Sequence, residues 1–251
     1  MKTKNIIKDY EGIDIKFYKK DFTSWNKSNE IEYNNNEIRY KARYEFFQNA
    51  FDYLAGNFIA GNYLEFGVHK ARTFRIALSE AKKKNFTNMS FYAFDSFEGL
   101  PEASEIDKFP GWKKGNLKTD YERFDELIKE HNLYTDKIYK IKGFYEDSLT
   151  NSLSNELLKN NEKASIIYID CDFYESARVV LEFIVDFIQD GTIIVFDDWN
   201  TYKGNPTKGE KKAFLEFRDK YIDKFWFEDF LTIGWMGKSF ILNKKNQDTV
   251  C

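Results

Sequence analysis

The segment IIYIDCDFYES fills residues 166–176. From Ser165 to Ile169 it reads as a strand without polar alternation. Strands of that kind are buried on both faces, as parallel strands are when helices cover them. The strand then meets two carboxylates one residue apart, Asp170 and Asp172. A carboxylate at the mouth of a buried strand is costly unless a cation or a hydrogen-bond donor meets it. The rest of the chain must therefore supply covering helices and a partner for these acids.

The helices are there on both sides. SARVVLEFIVDFI (176–188) places Val179, Val180, Phe183, Ile184, Phe187 and Ile188 on one helical stripe. GTIIVFDD (191–198) is the next strand and KGEKKAFLEFRDKY (208–221) the next helix. Two aromatic-rich strands, near 225–231 and 235–242, follow with no helix between them and predict a closing hairpin. Upstream, EDSLTNSLSNELL (146–158) is a weaker helix and DKIYKIKG (136–143) a strand. TDYERFDELIKEHNL (119–133) is a helix opened by a capping box from Thr119 to Glu122. Before it come a long loop (96–118), the strand SFYAFD (90–95), the helix ARTFRIALSEAKKK (71–84) and the strand GNYLEFG (61–67).

Residues 38–59 carry Ile38, Tyr44, Phe47, Ala50, Phe51, Leu54 and Phe58 at helical spacing, with Gly56 and Gly61 bracketing the end. Residues 1–36 are polar and mixed, and YNNNE (33–37) marks a break. The pattern predicts an α/β fold: a doubly wound, mostly parallel seven-stranded sheet with an N-terminal helical extension and a C-terminal antiparallel hairpin. Residues 1–40 form a partly ordered arm, as a lid or an oligomer contact, and 41–251 the main domain.

Composition removes several classes of function. Net charge is −3, with 38 basic and 41 acidic residues interleaved, so no nucleic-acid footprint is expected. Cys171 and Cys251 make neither a disulfide framework nor a zinc pattern. His69 and His131 lie too far apart for a histidine metal cluster. No signal peptide is read at MKTKNIIKDYEG, and no apolar run approaches the ~20 residues of a membrane span. The expectation is a soluble, cytoplasmic protein that forms a homo-oligomer, a dimer in the simplest case.

Ligands of open parallel sheets bind at the carboxyl ends of the strands. Those ends read Glu65-Phe66-Gly67, Asp95-Ser96, Gly143 with Glu146 and Asp147, Asp170-Cys171-Asp172, and Asp197-Asp198. Together they describe an acidic rim over one crevice. LEFGVHKART (64–73) lacks the three glycines of a dinucleotide turn. It is closer to the acid-x-Gly turn that holds the cationic methionine moiety of S-adenosylmethionine, the alternative being a plain strand-to-helix turn. Asp95 suits a ribose, with a simple turn acid as the alternative. Asp197, Asp198 and Asp170 suit a hard divalent ion such as Mg²⁺, unless one of the adjacent pair merely caps a turn. His69 reads as a surface or cofactor-side residue rather than a base.

LEFGVHKART, FDSFEGLPE (94–102), GFYEDSL (143–149), IDCDFYES (169–176) and VFDDWN (195–200), in this order, resemble the TylF/NovP-like class I S-adenosylmethionine-dependent methyltransferases. The resemblance covers about residues 45–242, with KGNPTKGEKKAF (203–214) also familial, while the first 40 residues match no part of it. It implies O-methylation of a sugar or surface-glycan precursor. It implies Mg²⁺ at Asp170, Asp197 and Asp198, with Asp172 as general base. It also implies cofactor contacts from Glu65, Phe66, Gly67, Thr73, Asp95, Ser96, Gly143, Asp147 and Asp170. Many relatives carry glycine where Ala71 stands here, so helix and cofactor are expected to pack slightly differently.

A sugar hydroxyl is a poor nucleophile at pH 7, so a cation and a carboxylate base together suit the chemistry. Two adjacent hydroxyls could chelate one ion, which predicts a vicinal diol. A catechol-like diol or a phosphorylated capsule substituent could use the same acids. A nicotinamide-dependent oxidoreductase and a non-catalytic cofactor-binding protein are the rivals from other classes.

Overall fold

In the computed structural model, residues 5–8, 14–17, 27–110, 112–130, 132–159 and 163–245 are described, with side chains from residue 41 onward. His131 and Cys251, noted above, lie outside them. Two short strands, β1 (Asn5–Lys8) and β2 (Asp14–Phe17), pair antiparallel. The helix α1 (Lys27–Gly56) follows. Strand and helix then alternate as β3 (Asn62–Phe66), α2 (Arg72–Lys83), β4 (Phe91–Asp95), α3 (Tyr121–Lys129) and β5 (Ile138–Lys142). The second half adds α4 (Tyr145–Ser148), α5 (Asn151–Lys159), β6 (Ala164–Ile169), α6 (Tyr174–Ile184), β7 (Ile188–Phe196), α7 (Gly209–Lys220), β8 (Phe225–Ile233) and β9 (Gly237–Lys244).

The seven strands lie in the order β5-β4-β3-β6-β7-β9-β8. The first five are parallel, and β9 runs antiparallel between β7 and β8. This is the doubly wound sheet with a closing hairpin that the apolar runs predict. The order reverses between β3 and β6, which is where such a sheet opens a crevice. Strands β3 and β6 are buried along their whole length, as a two-sided core requires. One core cluster joins α1, α2 and α3 to one face, and a second joins α6 and α7 to the other.

Helix α1 fixes the first face. Phe46, Phe47, Ala50, Phe51 and Leu54 are buried. Phe47 stacks on Tyr168 of β6 at 5.6 Å and meets Tyr63 of β3 edge-on at 6.0 Å. Each such phenylalanine contributes roughly 1.5–3 kcal/mol by burial, as an upper estimate. The helix begins at Lys27 and runs through the asparagine tract, so the expected break at YNNNE is corrected. Asparagine lowers helix propensity by only about 0.7 kcal/mol per residue, and its Glu, Lys and Arg neighbours favour the helix. Phe58, expected on the buried stripe, is 94% exposed, because the helix has ended at Gly56 and Phe58 has turned to φ 56°. Helix α1 also crosses the expected 40/41 boundary.

Three local expectations change. The N-cap of α3 is Asp120 with no side-chain cap, because the Thr119 hydroxyl meets His69 Nδ1 at 3.0 Å instead. The helix expected over 176–188 ends at Ile184, because Ile188 is needed as the strand partner of Ala164. The helix expected over 146–158 is broken between α4 and α5. Among the described residues, no helix is long and apolar enough to cross a membrane.

Candidate active site

The carboxyl ends of β3, β4, β5, β6 and β7 surround one cavity of about 290 Å³. Gly67, Thr73, Asp95, Ser96, Gly143, Asp170, Asp172, Asp197 and Asp198 all line it. Three expected residues do not. Glu65 is buried on the α1 face, where it accepts a hydrogen bond from the Tyr63 hydroxyl. Burial raises its carboxyl well above the usual range. Phe66 turns to the opposite face and stacks on Phe94 at 4.4 Å. Asp147 is exposed on α4, and its neighbour Glu146 lines the cavity.

The first strand turn is tied to the other strand ends. A Cβ on Gly67, at φ 89°, would lie 1.9 Å from the Asp170 carbonyl oxygen. Glycine is thus required here by the neighbouring backbone of β6. The next turn residues also adopt left-handed geometry: His69 at φ 35° and Ala71 at φ 53°. Ala71 is the N-cap of α2. The alanine therefore keeps a glycine-like backbone while its methyl packs into the first core cluster. Asp95 holds this turn from β4. Its Oδ2 accepts the Val68 and His69 amides at 2.8 and 3.2 Å, and its Oδ1 accepts the Phe97 amide at 2.6 Å. A carboxylate offers about four acceptor sites, so room for one further donor remains. Val68, Leu100, Pro101, Leu117 and Phe144 add an apolar wall suited to a flat ring.

The acids gather at the ends of β6 and β7. One carboxylate oxygen from each of Asp170, Asp197 and Asp198 lies within 4.8 Å of the others. Asp172 follows at φ 62°, a left-handed backbone, and its buried side chain lies within electrostatic reach of Asp198. Glu210 of α7, fully buried, fixes the two loops to each other. Its Oε1 accepts the Cys171 amide and its Oε2 the Asp198 amide, each at 3.0 Å.

One guanidinium answers these acids. Arg43 of α1 forks onto Asp197, with Nε donating to Oδ1 at 2.9 Å and the second nitrogen donating to Oδ2. The Tyr168 hydroxyl donates to the same Oδ1. Burial works to lower the Arg43 pKa, and Asp197, Tyr168 and Asp170 together outweigh it and raise it. Asp170, Asp172 and Asp198 remain without a cation against them among the described residues. Burial, then the charges of Asp197 and Asp198, push Asp170 well above the usual carboxylate range. Asp172 is pushed up by burial, then by Asp198 and Asp170. Burial, then Asp197, push Asp198 up to about 6. An all-oxygen cluster that favours protonation is one that a hard dication would relieve, so the residues fit Mg²⁺ or a similar ion.

A stability prediction follows from Asp198. Its folded carboxyl binds the proton more tightly than the unfolded one, whose ordinary value is 3.8. The metal-free protein should thus lose stability as pH rises from about 4 through about 6, by about 3 kcal/mol from this group. Urea midpoints measured in chelator at pH 4 and 7.5 check this. Asp198→Asn should shrink the difference without abolishing it, since Asp170 and Asp172 are also pushed up, and excess Mg²⁺ should restore stability at the higher pH.

Arg43, Tyr168 and Glu210 are absent from the sequence-based site. Arg43 had a signal: with Phe47, Ala50 and Leu54 it makes a 4-3-4 spacing, which puts a charge on the buried stripe. Tyr168 is a hydroxyl inside an apolar strand, which needs a partner. Glu210 had no such signal. A further acid, Asp107 in the long loop, accepts the Tyr174 and Glu175 amides at 2.7 and 3.3 Å and so caps α6. That contact pins the loop beside the cavity.

The model of the Macrocin-O-methyltransferase (TylF) family matches residues 36–233. The 8-demethyl-8-(2,3-dimethoxy-alpha-L-rhamnosyl)-tetracenomycin-C 4'-O-methyltransferase of Streptomyces olivaceus is 22% identical over 147 residues, or 56% of this chain. The chain spans about half the length of that curated relative, 54%. Among solved structures, the calicheamicin methyltransferase CalS11 superposes with a TM-score of 0.66 at 20% identity over 87% of each chain. The O-methyltransferase NovP superposes with a TM-score of 0.65 at 18% identity, over 81% of this chain and 80% of that one. At these identities the structural likeness speaks to the fold.

Proposed function

Because the chain belongs to the Macrocin-O-methyltransferase (TylF) family, we propose that it transfers a methyl group from S-adenosylmethionine to a sugar hydroxyl. The acceptor is a sugar or surface-glycan precursor with a vicinal diol. The observation that carries this reading is the convergence of Asp170, Asp172, Asp197 and Asp198 on the cavity that Gly67, Asp95 and Gly143 also line.

The chain divides the work along the sheet. Gly67, Thr73, Asp95, Ser96 and Gly143 bind the cofactor, with the open acceptor site of Asp95 taking a ribose hydroxyl. Asp170 and Asp198, with the remaining acceptor site of Asp197, would hold a divalent ion. Such an ion supplies a charge that acidifies a hydroxyl bound to it and keeps the neighbouring carboxylates ionised. Asp172, left out of the triad, takes the hydroxyl proton on its carboxylate. The methyl leaves the sulfonium as its carbon–oxygen bond forms, and the thioether departs as S-adenosylhomocysteine. Arg43 and Tyr168 keep Asp197 aimed, and Glu210 keeps the two acid loops in register.

The test is a methyl-transfer screen over sugar nucleotides, glycan precursors and catechols, with and without Mg²⁺. A mass gain of one methyl on a sugar, with S-adenosylhomocysteine formed, is the expected result. Methylation of catechols alone would replace the sugar reading, and NAD binding without S-adenosylhomocysteine binding would overturn the reaction class.

A further inference from the structure

The turn at 234–236 joins β8 to β9 beyond the end of β7, on the side of the acids away from β3, β4 and β5. Its Trp235 is 58% exposed. A single exposed apolar residue is ordinary on a protein surface, but the backbone of this one is held in place. Asn200, two residues past Asp198, grips the turn twice. Its amide donates to the Met236 carbonyl at 2.9 Å, and its side chain donates to the Trp235 carbonyl at 2.8 Å. Gly234, at φ 56°, supplies the left-handed residue that closes the three-residue turn. Thr201, next along, donates to Asp198 Oδ1 at 2.7 Å. The tryptophan is therefore tied to the loop that carries Asp197 and Asp198.

Its position relative to the cavity is equally defined. Met236 lines the main cavity. Trp235 lines a crevice with Arg43, Asp197 and Met236, and those three residues also line the main cavity. Trp235 thus stands at the rim beside the acids, across the sheet from the first two strand turns. We propose that Trp235 is an acceptor-binding platform whose face stacks on the C–H face of the sugar ring. The inference rests on reading the aspartates as the site that receives the acceptor hydroxyl. The chemistry is complementary. A pyranose presents a flat face of C–H bonds polarised by its oxygens, and an aromatic ring presents a negative π face. A ring on an anchored backbone has only two side-chain torsions left to order, so stacking on it costs little conformational freedom.

The test uses methyl α-L-rhamnopyranoside, a vicinal-diol sugar, with the full chain, Mg²⁺ and S-adenosylhomocysteine. Saturation-transfer NMR reads its affinity, and S-adenosylmethionine turnover reads methylation separately. Trp235→Ala should weaken sugar binding by about tenfold, and Trp235→Phe should hold it within about threefold of wild type. Affinity for S-adenosylhomocysteine and the Tm should stay unchanged in both. Sugar binding that is equal in Trp235→Ala and wild type, or absent from wild type, overturns the platform. So does a loss that Trp235→Phe fails to rescue. Tryptophan-dependent binding without methylation supports the platform and counts against the methyl-transfer reading instead, so the two fail separately.

Discussion

Asp172→Asn is expected to lower kcat for methyl transfer by about 10²–10⁴-fold, the range that a positioned general base contributes. The substitution keeps the shape of the side chain and removes its ability to take a proton. It also removes a like charge from beside Asp198. Divalent-ion affinity should therefore hold or rise, and S-adenosylhomocysteine affinity should not change. That combination separates a base from a metal ligand, since loss of a ligand would weaken the ion. Full activity in Asp172→Asn, with ion and cofactor bound, would remove Asp172 from the reaction.

Arg43→Met should be the most destabilising single change near the site. Asp197 is buried and Arg43 partly so, and the fork between them joins α1 to the end of β7. Breaking a buried pair by removing one partner costs about 3–5 kcal/mol, because the remaining charge is left uncompensated. Part of the loss should return in Arg43→Met with Asp197→Asn, where neither charge is left. Mg²⁺ should also recover part of it in the single variant, by giving Asp197 a second cation to face. Arg43→Lys should fall between, since an ammonium cannot reproduce the two-pronged contact. Urea denaturation in chelator, then in Mg²⁺, measures all four. An Arg43→Met protein as stable as wild type in chelator would show that the fork does not hold Asp197.

The fold was legible because its signals are dense and local. Buried strands such as Ala164–Ile169 are apolar without alternation, and each is followed by a segment of helical period. The closing hairpin was legible because two aromatic strands come with no helix between them. Boundaries were less legible where tertiary pairing overrides local preference. Ile188 belongs to a helical stripe by spacing and to β7 by its partner Ala164. Thr119 and Glu122 have capping-box spacing, yet His69, fifty residues away, takes the threonine hydroxyl.

The site divides in the same manner. Residues at strand ends were found because topology converts sequence position into spatial position, as with Asp95, Asp170, Asp197 and Asp198. Residues reaching in from other elements were missed, because no local pattern states that Glu210 bonds the amides of Cys171 and Asp198. Gly67 was found for an incomplete reason. Its freedom is needed against the Asp170 carbonyl, whether or not a ligand passes close by.

The account turns on the acids being a cation site. Titration of Mg²⁺ into chelator-treated protein by calorimetry, at pH 7.5, tests that directly. The prediction is one saturable site whose affinity falls when the titration is repeated at pH 5, because burial and mutual repulsion raise the proton affinity of Asp170 and Asp198, and protons then compete with the ion. Asp198→Asn should weaken it by at least about tenfold, while an exposed aspartate such as Asp229→Asn should leave it unchanged. Absence of a saturable site in the wild-type protein, or equal binding by Asp198→Asn, would contradict it.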